Sequence, residues 1–438
     1  MRRIGDYAFN ECSSLASVNI PESATRFGDY VFTECSGLTS ITLPKSVTRI
    51  GKYSFDGCTS LVSINIPESV TRIGEYAFYG CTSLTSIKIP KGVARIDGHA
   101  FGKCFILASI TVDNNNSDFC CVDGILYNID QTKLFCCPGA RAGSVSIPKS
   151  VTHIADGAFY GCSKLTSINI PESVTFIGEF VFNECYNLTS VNVDRNNRRF
   201  SSVDGILYDV DQTELISCPG ARAGGFSIPK GVTHIGDGAF GDCPNLTSID
   251  IPESVTHIGD SAFENCTKVT NFNIPSSVTE IGDSAFRSCS SLENIDIPEG
   301  VTHIGKWAFC DCSNLTNISL PDSLKDIGKG IFRRCYKLAD FKIPKGLKHI
   351  SECTFCECSS LKVIRIPEWV TEIDDFAFCN CNLESVICAG VTPPESDDVP
   401  HVLYGQIYEN ATLVVPKEAE KSYKAARGWR KFKNIETE

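Results

Sequence analysis

The sequence has no apolar run long enough to cross a lipid bilayer and no excess of positive charge. A membrane-spanning helix needs about 20 consecutive apolar residues, and the 438 residues contain no such run. The net charge of −12 excludes duplex DNA and anionic membranes as general partners, because those partners require a net basic surface. No apolar segment follows the opening MRRIGDYAF, so no secretory signal peptide is visible. We therefore expect no nucleic-acid partner and no membrane span.

A catalytic arrangement that stands apart from the rest of the sequence is also missing. Every histidine except His99 and His401 lies at one recurring position of a repeated phrase. Catalysis requires perturbed groups gathered in one pocket, whereas repetition makes local environments alike. The sequence therefore predicts no enzyme, no cofactor and no metal site.

What the sequence does contain is one phrase written many times. IPESVTRIGEYAFYGC at 66–81 returns nearly unchanged at 170–185 and 251–266. Fourteen phenylalanines recur every 23 residues, apart from two gaps of 58 residues, and each has a cysteine three positions later. They are Phe9, Phe32, Phe55, Phe78, Phe101, Phe159, Phe182, Phe240, Phe263, Phe286, Phe309, Phe332, Phe355 and Phe378. A period of about 20–29 residues is typical of a leucine-rich-repeat solenoid.

Each repeat predicts one coil of the α/β class. In LTSIKIP, Leu84, Ile87 and Ile89 have the spacing of a short strand with an apolar inner side, and Pro90 ends it. The acid before each aromatic-Ala-Phe run suits the start of a short helical turn, through capping and the helix dipole. We predict a right-handed solenoid of about 14 coils of 23 residues, in which stacking buries the phenylalanines and cysteines.

The two gaps hold matching insertions, and the ends differ from the repeats. FCCVDGILYNIDQTKLFCCPGARAG (119–143) and FSSVDGILYDVDQTELISCPGARAG (200–224) predict β-hairpins around the D-Q-T turns, within insertions at about 113–146 and 194–227. The solenoid is assigned to 1–388, and 389–438 is predicted to be a C-terminal cap. The first coil lacks most of its IPESVT phrase, so we expect the N-terminus to be cut inside a repeat.

The 24 cysteines have several possible roles. The fourteen in the Phe+3 row are predicted to be buried thiols, although adjacent coils are close enough for disulfides. Cys353, Cys356, Cys358, Cys379 and Cys381 crowd two neighbouring coils, but in a C-x-C pair only the second side chain faces the core. The four convergent ligands of a zinc site are therefore not predicted. Many free thiols favour a reducing or anaerobic setting.

A solenoid displays each repeat position as a column, and two columns are candidate surfaces. Six residues before each phenylalanine stand Arg3, Arg26, Arg49, Arg72 and Arg95, followed in later coils mostly by histidines and acids. The arginine column forms either an anion-binding strip, with Arg26, Arg49, Arg72 and Arg95 as candidates, or ion pairs with the acid three residues on, as in Arg26/Asp29 and Arg72/Glu75. The histidines either allow pH-sensitive binding or are solvated surface groups.

The other column is the polar position of the main strand. Its candidate binding residues are Asn65, Lys88, Asn169, Asn192, Asp250 and Asn273. Small polar side chains suit an extended polypeptide ligand, and they suit an ordinary solvated sheet equally well.

The phrase IPxSVTxIGxxAFxxCxxLxxI, the VDGILY insertions and the ATLVVP…YKAARGWRKFKNI ending resemble the BspA-like leucine-rich-repeat proteins over essentially the whole chain. The resemblance implies a secreted or cell-surface protein of a host-associated microbe, bacterial or protozoan, that binds proteins in adhesion and has no enzymatic activity. It supplies no fixed binding residues. The predicted function is non-enzymatic binding of a protein or matrix macromolecule by a cell-surface adhesin, and the alternative is a structural spacer with no ligand of its own. Because no signal peptide is visible, a cytoplasmic location stays open.

Overall fold

The computed structural model describes residues 3–395 and 407–438. Within these ranges the chain forms parallel β-ladders in which each coil stacks on the next, as the repeat predicts. It divides into two compact units, the first comprising 1–211 with 219–221 and the second 212–218 with 222–438. The predicted solenoid class is confirmed.

The main sheet of each unit is built from the strand that precedes the proline of each repeat. In Ser86–Ile89 the side chains alternate, so that Ile87 and Ile89 are buried while Lys88 is exposed. Residues one repeat apart pair in register, for example Ile87 with Ile110. In the first unit these strands are Ser40–Thr42, Ser63–Asn65, Ser86–Ile89, Ser109–Val112, Gly143–Ser146, Leu165–Ile170 and Ser190–Val193. In the second unit they are Gly224–Ser227, Leu246–Asp250, Asn271–Asn273, Asn294–Asp296, Asn317–Ser319, Val363–Ile366 and Ser385–Cys388.

A second sheet consists of short strands, most of which begin at the arginine or histidine of the repeat. The first residue of most of these strands faces outward and the second, usually isoleucine, is buried. In the first unit they are Arg3–Ile4, Arg26–Phe27, Arg49–Ile50, Arg72–Ile73, Arg95–Ile96, Lys133–Cys136, His153–Ile154 and Phe176–Ile177. In the second unit they are Glu214–Ser217, His234–Ile235, His257–Ile258, Glu280–Ile281, His303–Ile304, Asp326–Ile327, His349–Ile350 and Glu372–Ile373.

The segment around each repeated phenylalanine is a chain of turns, so the predicted helical turn is wrong. The residues two before and two after each phenylalanine have positive φ, for example Tyr53 at 53° and Gly57 at 68° around Phe55. A right-handed helix cannot continue through left-handed residues. The N–H groups of Tyr53, Phe55 and Gly57 instead donate to carbonyls of the following coil at 2.8–2.9 Å. The backbone hydrogen bonds of these turns therefore join each coil to the next.

The acid that recurs before the aromatic-Ala-Phe run also acts between coils, and the predicted helix cap is not formed. Asp260 Oδ1 accepts the N–H of Asp283 at 2.7 Å, and Asp283 Oδ1 accepts the N–H of Lys306 at 2.7 Å. The carboxylate thus satisfies a backbone donor one repeat later, which the turn itself leaves unpaired.

The interior of each unit is filled by stacked rings and thiols. The rings of Phe55 and Phe78 lie 5.4 Å apart and nearly parallel, and those of Phe286 and Phe309 lie 5.2 Å apart. All 24 cysteines are free thiols in the structure, and those of the Phe+3 row are buried except Cys12. The buried-thiol prediction holds for this row.

The first insertion is more closely integrated than a hairpin leaning off the solenoid. Phe119–Val122, Ile125–Asn128 and Lys133–Cys136 form an antiparallel meander. Its last strand then pairs in parallel with His153–Ile154, and Gly143–Ser146 joins the main sheet. The insertion therefore contributes a coil of its own. In the second insertion, Phe200–Val203 pairs with Ile206–Asp209 in the same way.

The described residues make about 18 turns, more than the roughly 14 coils predicted, because the insertions and the C-terminal segment add strands to the stack. Thr412–Val415 pairs in parallel with Ser385–Cys388, and Asn434–Thr437 pairs with Thr412–Val415. The α-helix Ile407–Asn410 precedes the first of these two C-terminal strands, Thr412–Val415. The 3₁₀ turn Lys417–Ala419, the α-helix Glu420–Ala425 and the 3₁₀ turn Trp429–Lys431 lie between Thr412–Val415 and Asn434–Thr437. The cap assignment for 389–438 stays a prediction, and 396–406 lie outside the described residues.

Candidate ligand-binding surfaces

The predicted arginine column is present on the second sheet of the first unit. Arg3 pairs in register with Arg26, and Arg49, Arg72 and Arg95 follow one another in the same way. Arg72 is half-buried and the other four are exposed. Five guanidinium groups are thus presented at one position per coil.

Most of these arginines are compensated by carboxylates. Arg3 pairs with the acid three residues on, Asp6, at 3.5 Å, as predicted, whereas the other pairs join different coils or different positions. Arg72 donates from Nε and Nη2 to Asp97 Oδ2 at 2.9 and 2.7 Å, and Arg95 Nε donates to Asp97 Oδ1 at 2.6 Å. Arg49 pairs with Asp29. The expected pairs Arg26/Asp29 and Arg72/Glu75 are not formed. Asp29 pairs instead with Arg49 of the next coil, and Arg72 reaches Asp97 of the next coil.

Asp97 is a carboxylate that accepts hydrogen bonds from two arginines of this column. Its burial acts to raise its pKa, but the hydrogen bonds from Arg95 and Arg72 outweigh that effect and lower the pKa. Because Asp97 stands where most repeats have glycine, its side chain can reach the arginine of the preceding coil as well as that of its own. The Arg72–Asp97–Arg95 cluster is therefore part of the structure of the sheet.

Arg26 differs from its neighbours. It is exposed and makes no ion pair with any other residue in 3–395 or 407–438. It lines a surface groove of about 440 Å³, together with Arg3, Phe27 and Arg49 and with the carboxylates Asp6 and Asp29. Asp6 Oδ1 is engaged by the N–H of Asp29 at 3.0 Å. Asp6 also lies 3.5 Å from Arg3, and Asp29 pairs with Arg49, so Arg26 is the charged group of this groove that is open to a ligand.

The six main-sheet candidates are exposed and lie on a different sheet from the arginines. Asn192 Nδ2 donates to Asn169 Oδ1 at 3.1 Å, and Asn169 Nδ2 donates to Ser146 Oγ at 3.1 Å. Lys88 Nζ lies 3.1 Å from Asp113 Oδ2. Asn65 belongs to the first unit, and Asp250 and Asn273 to the second. The ten predicted residues thus form separate surfaces and do not converge on one pocket.

In the second unit the same column alternates imidazoles and carboxylates. His257, Glu280, His303 and Asp326 pair successively in register and border a groove of about 450 Å³. The Nδ1 atoms of His257 and His303 lie 2.8 and 3.0 Å from the hydroxyl oxygens of the preceding threonines. These rings are therefore oriented by their own strands.

Further along this column is a cluster that the sequence analysis did not assign. His349, Glu372 and Asp374 bring one ligand atom each within 4.8 Å of one another. His349 Nε2 lies 2.9 Å from Asp374 Oδ1. The signal was present in the sequence, because Asp374 occupies the glycine position of the repeat, as Asp97 does.

Among the described residues, no helix has the length and apolar character needed to traverse a bilayer.

Comparison with known proteins places this geometry among leucine-rich repeats. A family model described as "BspA type Leucine rich repeat region (6 copies)" matches residues 2–120, 131–208, 222–309 and 281–392. A leucine rich cell surface protein from Faecalibacterium prausnitzii A2-165 is 31% identical, with 82% of this chain and 81% of that chain covered and a TM-score of 0.45. A leucine-rich repeat protein from Eubacterium ventriosum is 23% identical, with 82% and 88% covered and a TM-score of 0.51. No curated protein matches the chain.

Proposed function

The chain belongs to the BspA-type leucine-rich-repeat family, and we propose that it is a non-enzymatic cell-surface adhesin that binds a host or partner protein. The family is a repeat scaffold rather than a known enzyme family. The relative from Faecalibacterium prausnitzii is named as a cell surface protein, which supports the same location for this chain. Repeat scaffolds of this kind use extended surfaces for macromolecular contact.

The observation that carries the proposal is the exposed Arg26 in the arginine column of the first unit, which makes no ion pair with the described residues. A guanidinium without an ion pair, flanked by Arg3 and Arg49, is matched by the carboxylates of a protein partner, which it can bind in a bidentate manner. The groove beside it gives such a segment a place to lie. We therefore propose an acidic protein segment as the ligand of this column, with the exposed polar side chains of the main sheet as a second contact.

The experiment is a binding survey of the full-length chain by biolayer interferometry against host matrix and serum proteins, with heparin as a separate arm. Arg26→Glu should weaken binding to the selected partner at least about tenfold, since a like charge would then face the carboxylates of the partner. Arg430→Glu is the matched control, because Arg430 is an exposed arginine in the 3₁₀ turn Trp429–Lys431, outside both columns, and should bind as the wild type does.

The results separate the alternatives. Binding to heparin alone would identify a sulfated glycan as the ligand and overturn the protein-binding proposal. No selective partner in any arm would favour the structural spacer. The spacer has one observation in its support, which is that Asn192, Asn169 and Ser146 hydrogen-bond one another along the main sheet and so satisfy part of its polar surface internally.

A further inference from the structure

The His349–Glu372–Asp374 cluster lies where two coils of the second unit meet on the second sheet. His349 and Glu372 pair directly in register on adjacent strands, and Asp374 follows two residues after Glu372. The side chains of His349 and Asp374 are each about one-third exposed, at 37% and 32%. The Nε2 atom of His349 is itself closed to solvent and makes no hydrogen bond, although it is 2.9 Å from Asp374 Oδ1.

The first unit contains the same arrangement with different charges. Asp97 and Asp374 both occupy the glycine position of their repeats, and each reaches the column residue of the preceding coil. Around Asp97 the two column residues are Arg72 and Arg95, so one carboxylate meets two cations. Around Asp374 they are His349 and Glu372. The fold is the same, but a second carboxylate has replaced a cation.

The surroundings increase this negative charge. Glu372 forms a parallel bridge with Glu395, which is exposed and occupies the next position of the same column. The carboxylates of Glu372, Asp374 and Glu395 and the imidazole of His349 therefore lie at or beside three successive positions of the column. Like charges at such spacing repel each other unless a cation lies between them.

We propose that His349, Glu372 and Asp374 bind a divalent transition-metal ion. One imidazole nitrogen and two carboxylate oxygens are a ligand set that suits zinc, cobalt or manganese, with water filling the remaining positions. The metal supplies the positive charge that Arg72 and Arg95 supply around Asp97. This site contains no cysteine, so it is distinct from the thiol clusters considered from the sequence. It joins two adjacent coils and so stabilises the stack.

The test uses Co²⁺ as the probe, added to the reduced full-length protein and followed by visible absorption and isothermal titration calorimetry. We expect one saturable site with imidazole–carboxylate d–d absorption and without the charge-transfer absorption of cobalt thiolates. Asp374→Asn and Glu372→Gln should each weaken binding at least about tenfold. Asp326→Asn should bind as the wild type does, because Asp326 neighbours His303 in the same column but Gly328 stands at the position of Asp374.

A charge replacement provides the second arm. Glu372→Arg recreates the arrangement around Asp97, so it should abolish Co²⁺ binding and raise the melting temperature of the metal-free protein. In the wild type, Co²⁺ itself should raise the melting temperature, and this increase should vanish in Glu372→Arg. The proposal is overturned if Co²⁺ shows no saturable binding, if thiolate absorption dominates, or if Asp326→Asn weakens binding as much as Asp374→Asn does.

Discussion

The Sγ atom of Cys289 lies 3.2 Å from the carbonyl oxygen of Phe263, one repeat earlier. That carbonyl already accepts the N–H of Cys266, and the thiol occupies its second lone pair. The same contact recurs from Cys58 to Phe32 and from Cys335 to Phe309, at 3.2 Å in each case. The recurring cysteine is therefore a small buried side chain that also donates a weak hydrogen bond between coils.

Replacement of Cys289 tests this role. Cys289→Ala removes the donor and leaves a small cavity, so we expect it to lower the free energy of unfolding by about 1–2 kcal/mol. Cys289→Ser keeps a donor for the Phe263 carbonyl, and it should be less destabilising than the alanine variant in urea denaturation. A serine variant less stable than the alanine variant would show that apolar packing alone selects cysteine.

Burial of the row also predicts which thiols react. Burial raises the pKa of the Cys35 thiol to about 11, and it raises the pKa of Cys81 well above its usual value. Since the thiolate is the nucleophile, these groups should be almost inert in the folded protein. Iodoacetamide in mildly alkaline buffer should first modify Cys12, which is exposed, and then the half-buried Cys120, Cys121 and Cys353.

Peptide mapping by mass spectrometry reads out the order of modification, and denatured protein provides the reference in which all 24 cysteines react. Modification of Cys81 at the rate of Cys12 in the folded protein would contradict the buried ladder.

The parts of the fold that depend on spacing could be predicted from the sequence, and those that depend on side-chain reach could not. The period of the phenylalanines determines the stacking, whatever the local backbone. The helical turn around them was wrong because Tyr53 and Tyr76 give no sign of positive φ. Glycines at the equivalent position of other coils, such as Gly157 and Gly238, were the available signal. The carboxylate partners of Arg49 and Arg72 lie on other coils and depend on side-chain conformation, which a repeat pattern does not specify.

Asp56 predicts a pH dependence of stability. Burial is the main cause that raises the pKa of Asp56 from 3.8 to about 7. The negative charge of Glu34 raises it further, and Lys103 acts in the opposite direction. Because the folded-state pKa lies above the unfolded one, folding favours the protonated form. The contribution of Asp56 is therefore fully present below pH 3.8 and is lost as the pH rises to about 7.

Asp56→Asn removes this titration and keeps a side chain of similar size. Above neutral pH the variant should be more stable than the wild type by at most about 2 kcal/mol, a value reduced because the carboxyl is partly open to water. The difference should disappear in acid. Urea denaturation of both proteins across this pH range measures it, and a constant difference would mean that Asp56 does not titrate with a raised pKa.

The left-handed residues around each phenylalanine predict a stabilising substitution. Ser288 stands two residues after Phe286 with φ at 57°, the position that Gly57 and Gly80 occupy in other coils. Its N–H donates to the carbonyl of Cys310 at 2.8 Å, and this bond does not depend on its side chain. A side chain at positive φ destabilises the folded protein by about 1–2 kcal/mol, and glycine relieves this strain. Glycine also makes the unfolded chain more flexible, which offsets about 0.4–1 kcal/mol of the stabilisation. Ser288→Gly should therefore raise the free energy of unfolding by about 0.5–1 kcal/mol, whereas the control Ser290→Gly, at a residue without positive φ, should lower it. Equal destabilisation of both variants in urea would mean that the positive φ of Ser288 carries no strain.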